Sequence, residues 1–350
     1  MRRIRLGMAG FGQVARAFLE LLPEKQSYLL QRYDLGIQVV AICDSTEYRL
    51  NPEGFDPEDL LVHKLEKNST SYRTDETLSA DIPVIIESFI QTGVDVVVEV
   101  LPPDFSSGEP GLSYIRGFLA RGVPVVTTNE SPLLLAYEEL RKLSRQRNVP
   151  LVFGATCAAV LPVVEMATSG VAGVTVYGFE GIFSGIANLL LAEMFHNRSS
   201  LAEEMEIAAE MGVCPPSPAK DIEGWTTAYD TLLLAKVLME PRARLVDVDV
   251  AGLGGLTFEQ VAPVVEEGNT LKLLGKASYQ DNRLRLRVTP SIITPDHPFY
   301  RMNGAEKAVI LFTDGLGKLI ISGGTPGSRE MAHLVLRDLI TLFQPAGLLW

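Results

Sequence analysis

The sequence predicts an α/β fold, a doubly wound parallel sheet followed by an α+β domain, and three observations predict it. A short apolar strand over residues 4–9 runs into Gly10-Phe11-Gly12 and then into a helical pattern. Apolar runs alternate with helical patterns through the first 150 residues, as a parallel sheet covered on both faces requires. From about residue 154 the pattern changes to long helices and to strands joined by tight-turn residues.

The elements follow in order. In Gly10-Phe11-Gly12-Gln13-Val14-Ala15, Gly10 allows a tight turn, Gly12 lets backbone N–H groups approach a pyrophosphate, and Ala15 is small enough for close helix–strand packing. The helix N-terminus then faces negative charge. This is a dinucleotide-binding, Rossmann-type pattern, and Gly10, Phe11, Gly12, Gln13 and Val14 are the expected cofactor contacts. Residues 37–43 (IQVVAIC) read as the second strand and end in Asp44, where the acidic partner of an NAD ribose hydroxyl is expected. The interval from the glycine turn is long, so the first helix or its following loop must be extended. Asp44 favours NAD, while Ser45 and Arg49 leave NADP open. Residues 94–100 read as a buried strand leading into Leu101-Pro102-Pro103. A helix over 110–121, a strand over 123–129, a helix over 136–147 and a strand over 150–153 complete a first domain at residues 1–150.

A second domain, residues 151–322, opens with a strand over 171–179 and helices over 186–195 and 201–211. Pro215, Pro216 and Pro218 interrupt it, and residues 221–239 (DIEGWTTAYDTLLLAKVLM) carry long helical periodicity. Strands over 270–279 and 283–288 flank a Gln-Asp-Asn turn, and strands over 308–312 and 319–322 flank Asp314-Gly315. A last helix over 328–343, in the segment 323–350, is expected to fold back on the first domain. No repeat or low-complexity segment interrupts the pattern.

Composition narrows the function. With 350 residues, 47% hydrophobic and 21% charged, each part can bury its own core. A net charge of −12 repels nucleic acid and anionic membrane surfaces over long range, so a small-molecule substrate is the expected partner. Cys43, Cys157 and Cys214 form neither a disulfide framework nor a zinc pattern, which fits a reducing cytoplasm. The N-terminal residues lead directly into the first strand without a signal-like apolar region. The longest apolar stretch, 149–164, is broken by Gly154, Thr156 and Pro162 and is too short to span a membrane. The sequons at Asn68 and Asn197 then read as chance matches.

Several separated segments together resemble the homoserine dehydrogenase family over nearly the whole chain. They are GFGQVA, VVVEVLPPDFSSGEPGLSYIRGFLARGVPVVTTN, ATCAAVLPVV, GIFSGIANLLLAEM, DIEGWTTAYDTLLLAKVLM and HPFYRMNGAEKAVILFTDGLGKLIISGG, in the family's order and spacing. The resemblance implies a Rossmann domain, a substrate-binding and dimerising domain with an antiparallel sheet, a homodimer, and hydride exchange between a nicotinamide and a C4 aldehyde or alcohol. Together with Rossmann geometry it places Leu101, Pro102 and Thr128 near the nicotinamide. Residue by residue, the carry-over breaks at the chemistry. The family's Thr-Ala-Asn-Lys is Thr127-Thr128-Asn129-Glu130 here. Its catalytic aspartate and lysine, one helical turn apart, are Thr226 and Asp230; two further family glutamates are Gly154 and Pro215. The Asn-Gly-Thr-Thr-Asn substrate loop is Ser184-Gly185-Ile186-Ala187-Asn188, and Asp221 remains. No metal site is expected.

Reducing an aldehyde needs a proton donor beside the forming alkoxide, and an ionised aspartate in place of lysine has the wrong charge. Asp221 and Asp230 are the catalytic candidates, Asp230 serving as a neutral donor when burial or the Asp221 charge raises its pKa. Lys220 and Lys236 are alternative donors, each read by default as a solvated surface lysine. Glu130, Asn188 and Thr226 are the substrate-binding candidates. Acids at 130 and 230 suggest a substrate more cationic than homoserine. His196 reads as a helix C-terminal residue, His297 as a turn determinant, and His63 and His333 have no partner by spacing. Cys157 reads as a small buried residue, and Gly181-Ile182-Phe183-Ser184-Gly185 is no hydrolase elbow. Two function classes follow. One is an NAD(P)-dependent oxidoreductase resembling homoserine dehydrogenase; the other is a dinucleotide-binding protein without dehydrogenase activity.

Overall fold

The computed structural model describes residues 2–45, 47–65, 81–211 and 218–344, so Asn68, Cys214 and Pro215 lie outside the described residues. The chain separates into two compact units, Met1–Thr156 with Gly327–Trp350, and Cys157–Pro326.

The first unit runs β1 (Arg2–Ala9), α1 (Gln13–Tyr33), β2 (Leu35–Cys43), β3 (Tyr48–Leu50), α2 (Pro57–Leu65), α3 (Ile82–Thr92), β4 (Val96–Glu99), α4 (Gly111–Ala120), β5 (Val125–Thr127), α5 (Glu130–Arg147) and β6 (Leu151–Val152). Its sheet has the order β3-β2-β1-β4-β5-β6, with β2, β1, β4, β5 and β6 parallel and β3 antiparallel at the edge. The order reverses beside β1, the switch point where doubly wound sheets bind ligands. The strands are apolar because both faces are covered: Val96, Val97 and Val98 are all fully buried. The long interval after the glycine turn is taken up by α1, which spans 21 residues and turns out through Asp34 in the left-handed region. One face of α1, including Ala15, Phe18, Leu19 and Leu22, packs into the same core as residues 332, 335, 336 and 339 of the chain's last helix.

The second unit runs α6 (Val163–Glu165), β7 (Val176–Ile182), α7 (Gly185–Asn197), α8 (Leu201–Glu210), α9 (Ala219–Ile222), α10 (Trp225–Leu238), β8 (Val248–Val250), α11 (Phe258–Glu266), β9 (Thr270–Gln280), β10 (Arg283–Ile293), β11 (Lys307–Thr313) and β12 (Gly317–Gly323). The order β12-β11-β7-β9-β10-β8 is antiparallel except for the β10–β8 pair. Asp281 and Asn282 both have positive φ in the β9–β10 turn, the backbone that a two-residue hairpin needs. The chain then returns to the first unit as α12 (Ser328–Phe343).

Several boundaries differ from the sequence reading. The helix expected over 136–147 starts at Glu130, because Asn129 caps it by accepting from Ser131 N at 3.1 Å; its path kinks at Ala136 (φ −131°). The strand expected over 171–179 is displaced to Val176–Ile182, since Gly173 at φ +89° breaks the extended run. The single helix expected over 221–239 is two, α9 and α10, divided at Gly224 with φ +87°. The elements β3, α2, α3, β8 and α11 were not anticipated; α11 starts where Gln260 Oε1 accepts from Thr257 N at 3.0 Å.

Candidate functional site

The glycine turn is built for close backbone approach. Gly10 has φ +112° and donates its N–H to Cys43 O at 2.8 Å, while Val100 N donates to Ala9 O at 2.8 Å. A Cβ on Gly10 would stand 2.8 Å from the carbonyl atoms of Val100. At Gly12 the opposite holds: nothing lies within 4 Å of an added Cβ, and no side chain caps the first turn of α1. The open N–H groups and the helix dipole favour an anion there. Gln13 is exposed and Val14 half-buried beside them.

Next to the turn lies a shallow hollow whose walls include apolar Phe11, Ile42 and Leu60 and polar Asp44, Glu47 and Arg49. The β2–β3 hairpin sets Arg49 opposite Ile42, and Asp44 Oδ1 accepts from Glu47 N at 3.1 Å. Arg49 Nη2 lies 3.4 Å from Glu47. An apolar floor, an acid at the end of β2 and an uncapped helix start fit an adenosine and a pyrophosphate. Cys43, which also lines the hollow, has its thiol pushed up to about 12 by burial.

Behind the turn, the sequence reading passed over a buried carboxyl. Glu99 closes β4 with no exposure. Its Oε1 accepts from Leu101 N at 3.0 Å and Asn129 Nδ2 at 3.1 Å, and its Oε2 accepts from the Thr127 hydroxyl. Burial pushes it up to about 7, against the pull of those three donors. Asn129 Oδ1 in turn accepts from Ser131 Oγ at 2.8 Å, and Ser131 Oγ accepts from Asp104 N at 3.1 Å. Gly111, the first residue of α4, leaves room for this network, since a Cβ there would stand 2.6 Å from Asn129 Nδ2. The network therefore fixes the ends of β4 and β5, where Leu101 and Thr128 lie. Leu101 and Thr128 are half-buried and Pro102 is exposed. Glu130 sits half-buried in the first turn of α5, where a carboxylate complements the helix dipole.

In the second unit, Asp230 is 3% exposed on α10, and its Oδ1 accepts from Ala158 N at 3.1 Å. Burial is the largest cause that raises it, to about 6; the Lys307 charge and the Ala158 and Cys157 bonds pull the other way, and the Asp221 charge adds a smaller rise. Sequence periodicity offered no sign of Lys307, the first residue of β11. Asp221 Oδ1 accepts from Ser184 Oγ at 2.7 Å, and Ser184 caps α7 through Ala187 N. Thr226 is half-buried in the first turn of α10.

Asn188 is 1% exposed, and its amide donates towards the carbonyls of Met302 (3.4 Å), Gly304 (2.9 Å) and Glu306 (3.3 Å). Lys272, also buried, donates to the same Met302 carbonyl, and burial lowers it to about 8. Together they clamp the 302–306 segment that leads into β11.

The expected surface position holds for Lys220, which is exposed. It fails for Lys236, which is 5% exposed and directs Nζ at Pro241 O, 3.4 Å away. Cys157 is fully buried with Sγ 3.5 Å from Asp230 O. His297 caps its turn by accepting from Phe299 N at 3.1 Å, and its Nε2 meets Glu180 at 2.9 Å. His196 is exposed in the last turn of α7. Among the described residues no three His, Cys, Asp or Glu side chains converge as metal ligands, and no helix is long and apolar enough to cross a membrane.

Comparison with known proteins places this geometry. The profile for homoserine dehydrogenase matches residues 162–340, and that for its NAD-binding domain matches residues 10–153. An NAD(+)-dependent homoserine dehydrogenase of Pseudomonas canavaninivorans is 28% identical, covering 99% of this chain and 98% of its own. The homoserine dehydrogenase of Methanocaldococcus jannaschii is 29% identical, over 96% and 97%. A crystal structure from Archaeoglobus fulgidus, assigned provisionally to homoserine dehydrogenase, superposes with a TM-score of 0.85 at 28% identity, covering 97% of this chain and 99% of that one. The chain belongs to the homoserine dehydrogenase family, as an NAD(P)-binding oxidoreductase of that family.

Proposed function

We propose that the protein transfers hydride between a nicotinamide cofactor and a small amino aldehyde or amino alcohol, and that its substrate is altered from homoserine. The carrying observation is a glycine turn shaped for a dinucleotide in a chain whose α10 presents a buried acid, Asp230, at a family lysine position. In this reading the first unit holds the cofactor through Gly10, Phe11, Gly12, Gln13, Val14, Asp44, Leu101, Pro102 and Thr128, and the second unit holds the substrate. Asp44 supports NAD over NADP, and Arg49 in the same hollow keeps a 2′-phosphate possible. The NAD(+)-dependent Pseudomonas relative supports the same preference. The reading includes a homodimer in a reducing cytoplasm.

A bound nicotinamide supplies hydride to a carbonyl carbon, or takes it from an alcohol. The chain's own part is the proton. Asp230, at about 6, is a neutral acid below that pH and donates to the developing alkoxide; above it, the carboxylate accepts the alcohol proton. Asp221 supports the site through Ser184. Acids at 130 and 230 favour a substrate with more positive charge than homoserine. The Glu130→Gln, Asp230→Asn double variant therefore loses turnover on the native substrate, and full retention of a homoserine-dependent rate in it would sink the altered-substrate reading.

The test is a cofactor-fluorescence assay with NADH and NADPH against amino and hydroxy aldehydes and alcohols, homoserine included. Aldehyde reduction that falls as pH rises through 6, and loses that step in Asp230→Asn, supports the proposal. One observation favours a second reading, a dinucleotide-binding protein without dehydrogenase activity: Asp230 is withdrawn from solvent and bonded to Ala158 N. Cofactor titration with no turnover on any substrate selects it.

A further inference from the structure

The network at the ends of β4 and β5 reaches beyond strand pairing. Glu99, Thr127, Asn129 and Ser131 are 0%, 0%, 2% and 0% exposed, and each takes a backbone N–H from a loop or helix start. Leu101 N binds Glu99, Asn129 N binds Thr127 at 2.9 Å, Ser131 N binds Asn129 at 3.1 Å, and Asp104 N binds Ser131 at 3.1 Å. The carboxylate thus holds the 101–104 segment at its start directly and at its end through Asn129 and Ser131. We propose that Glu99 is a positioning residue for the dinucleotide, its ionised carboxylate holding Leu101 and Thr128 in binding geometry through Thr127, Asn129 and Ser131. The proposal rests on the assignment of Leu101 and Thr128 to the cofactor site.

The bonding pattern favours a carboxylate. An ionised carboxyl only accepts, and three donors converge on it here. Once protonated it must donate from one oxygen. A proton on Oε2 makes the Thr127 hydroxyl turn its own proton away and accept from Glu99 as well as from Asn129 N, and a proton on Oε1 meets Leu101 N and Asn129 Nδ2, neither of which accepts. The groups facing Glu99 are polar but uncharged: Thr127 from β5, Asn129 at the start of α5 and the Leu101 N–H. Cys43 of β2 is near enough to feel its charge, and Tyr114 of α4 bonds Cys43; burial raises both, so both are neutral from pH 6 to 8. Glu99, at about 7, changes charge within that range. Above 7 the ionised form dominates and the network is complete; below 7 it is lost, so dinucleotide binding weakens as pH falls.

The experiment titrates NADH and NADPH by fluorescence at pH 6 and pH 8 on the full chain and on Glu99→Gln and Ser131→Ala, each checked for folding by thermal unfolding. The parent chain is expected to bind about tenfold more weakly at pH 6 than at pH 8, as one proton taken up near pH 7 gives when the ionised form is the binding form. Glu99→Gln is expected to show the weaker value at both pH values. Comparing chains with the same cofactor cancels the titration of the cofactor's own phosphate. Ser131→Ala keeps the carboxylate and cuts the tie to Asp104, so it is expected to lose about threefold at both pH values, the worth of one hydrogen bond, with the parent's pH ratio intact. This variant carries the test if Glu99→Gln does not fold. In the cofactor-free chain, the Leu101 amide resonance is expected to titrate near pH 7. A pH ratio unchanged in Glu99→Gln, tighter binding at pH 6, a Leu101 amide that does not titrate, or undiminished binding by Ser131→Ala each overturns the positioning role alone. Failure of the parent chain to bind either cofactor overturns the cofactor assignment and this proposal with it.

Discussion

Glu99 in the first unit and Asp230 in the second are both buried carboxyls raised by desolvation, to about 7 and about 6, but their surroundings differ in kind. Glu99 sits in a ring of neutral donors, two side chains and a backbone N–H. Asp230 has a backbone bond to Ala158, the Cys157 thiol and the opposing pull of the Lys307 charge. The first is a scaffold group, whose bonds all run to the backbone and side chains that shape a binding surface. The second is a carboxyl held at the edge of ionisation between burial and a nearby lysine charge.

The largest expected effect tests the cofactor half of that contrast. Gly10→Val forces a β-branched residue to φ +112° with its Cβ 2.8 Å from Val100. Loss of cofactor titration and a stability loss of about 3 kcal/mol or more are expected in denaturant unfolding. Next come the two acids. Because each folded-state pKa is raised, the stabilisation from protonation is fully present below the unfolded pKa and is lost as pH rises through the folded value. That window runs from about 4 to about 6 for Asp230 and from about 4.5 to about 7 for Glu99. The parent chain should thus lose stability as pH rises from 4 to 8, by on the order of 3 kcal/mol for each acid, and Asp230→Asn and Glu99→Gln should each remove that acid's share of the loss; urea melts at both pH values measure this. A flat difference for either acid breaks the parallel between them.

A smaller cost, about 1–2 kcal/mol, is expected for Asn188→Ala, which takes the amide donor away from the partly buried carbonyls of the 302–306 segment. Asp44→Asn should weaken NADH binding about tenfold and NADPH binding less, if the acid holds a ribose hydroxyl; equal losses would remove Asp44 from cofactor choice. Arg329→Ala breaks an exposed pair with Glu24 at 2.6 Å and should leave the melting temperature unchanged, as screened surface pairs do.

The sequence made the first unit readable because its signals are local. The glycine turn, the acid after β2 and the valine-rich strands each lie within a dozen residues, and the expected sheet follows from their alternation. What escaped depends on contacts between distant segments. Arg49 reaches the hollow only because β3 folds back on β2. Glu99 looked like part of a strand until Thr127 and Asn129 closed around it. In the second unit β7 lies between β11 and β9, far apart in the chain, so nothing local revealed that Lys307 faces Asp230 or that Asn188 binds the segment before β11. Single glycines at 173 and 224 moved boundaries that periodicity alone had drawn as continuous.

Helix α12 gives the chain a particular order of assembly. Residues Ala332, Val335, Leu336 and Leu339 complete the core under α1, and Ala155 N donates to Asp338, itself 1% exposed. A chain growing from its N-terminus must therefore make the whole of the second unit before the apolar face of α1 can be covered. Until synthesis passes residue 339, the first unit carries an open hydrophobic seam, the kind of surface on which unfinished chains associate. The glycine turn at the start of α1 is made well before the helix that completes its supporting core.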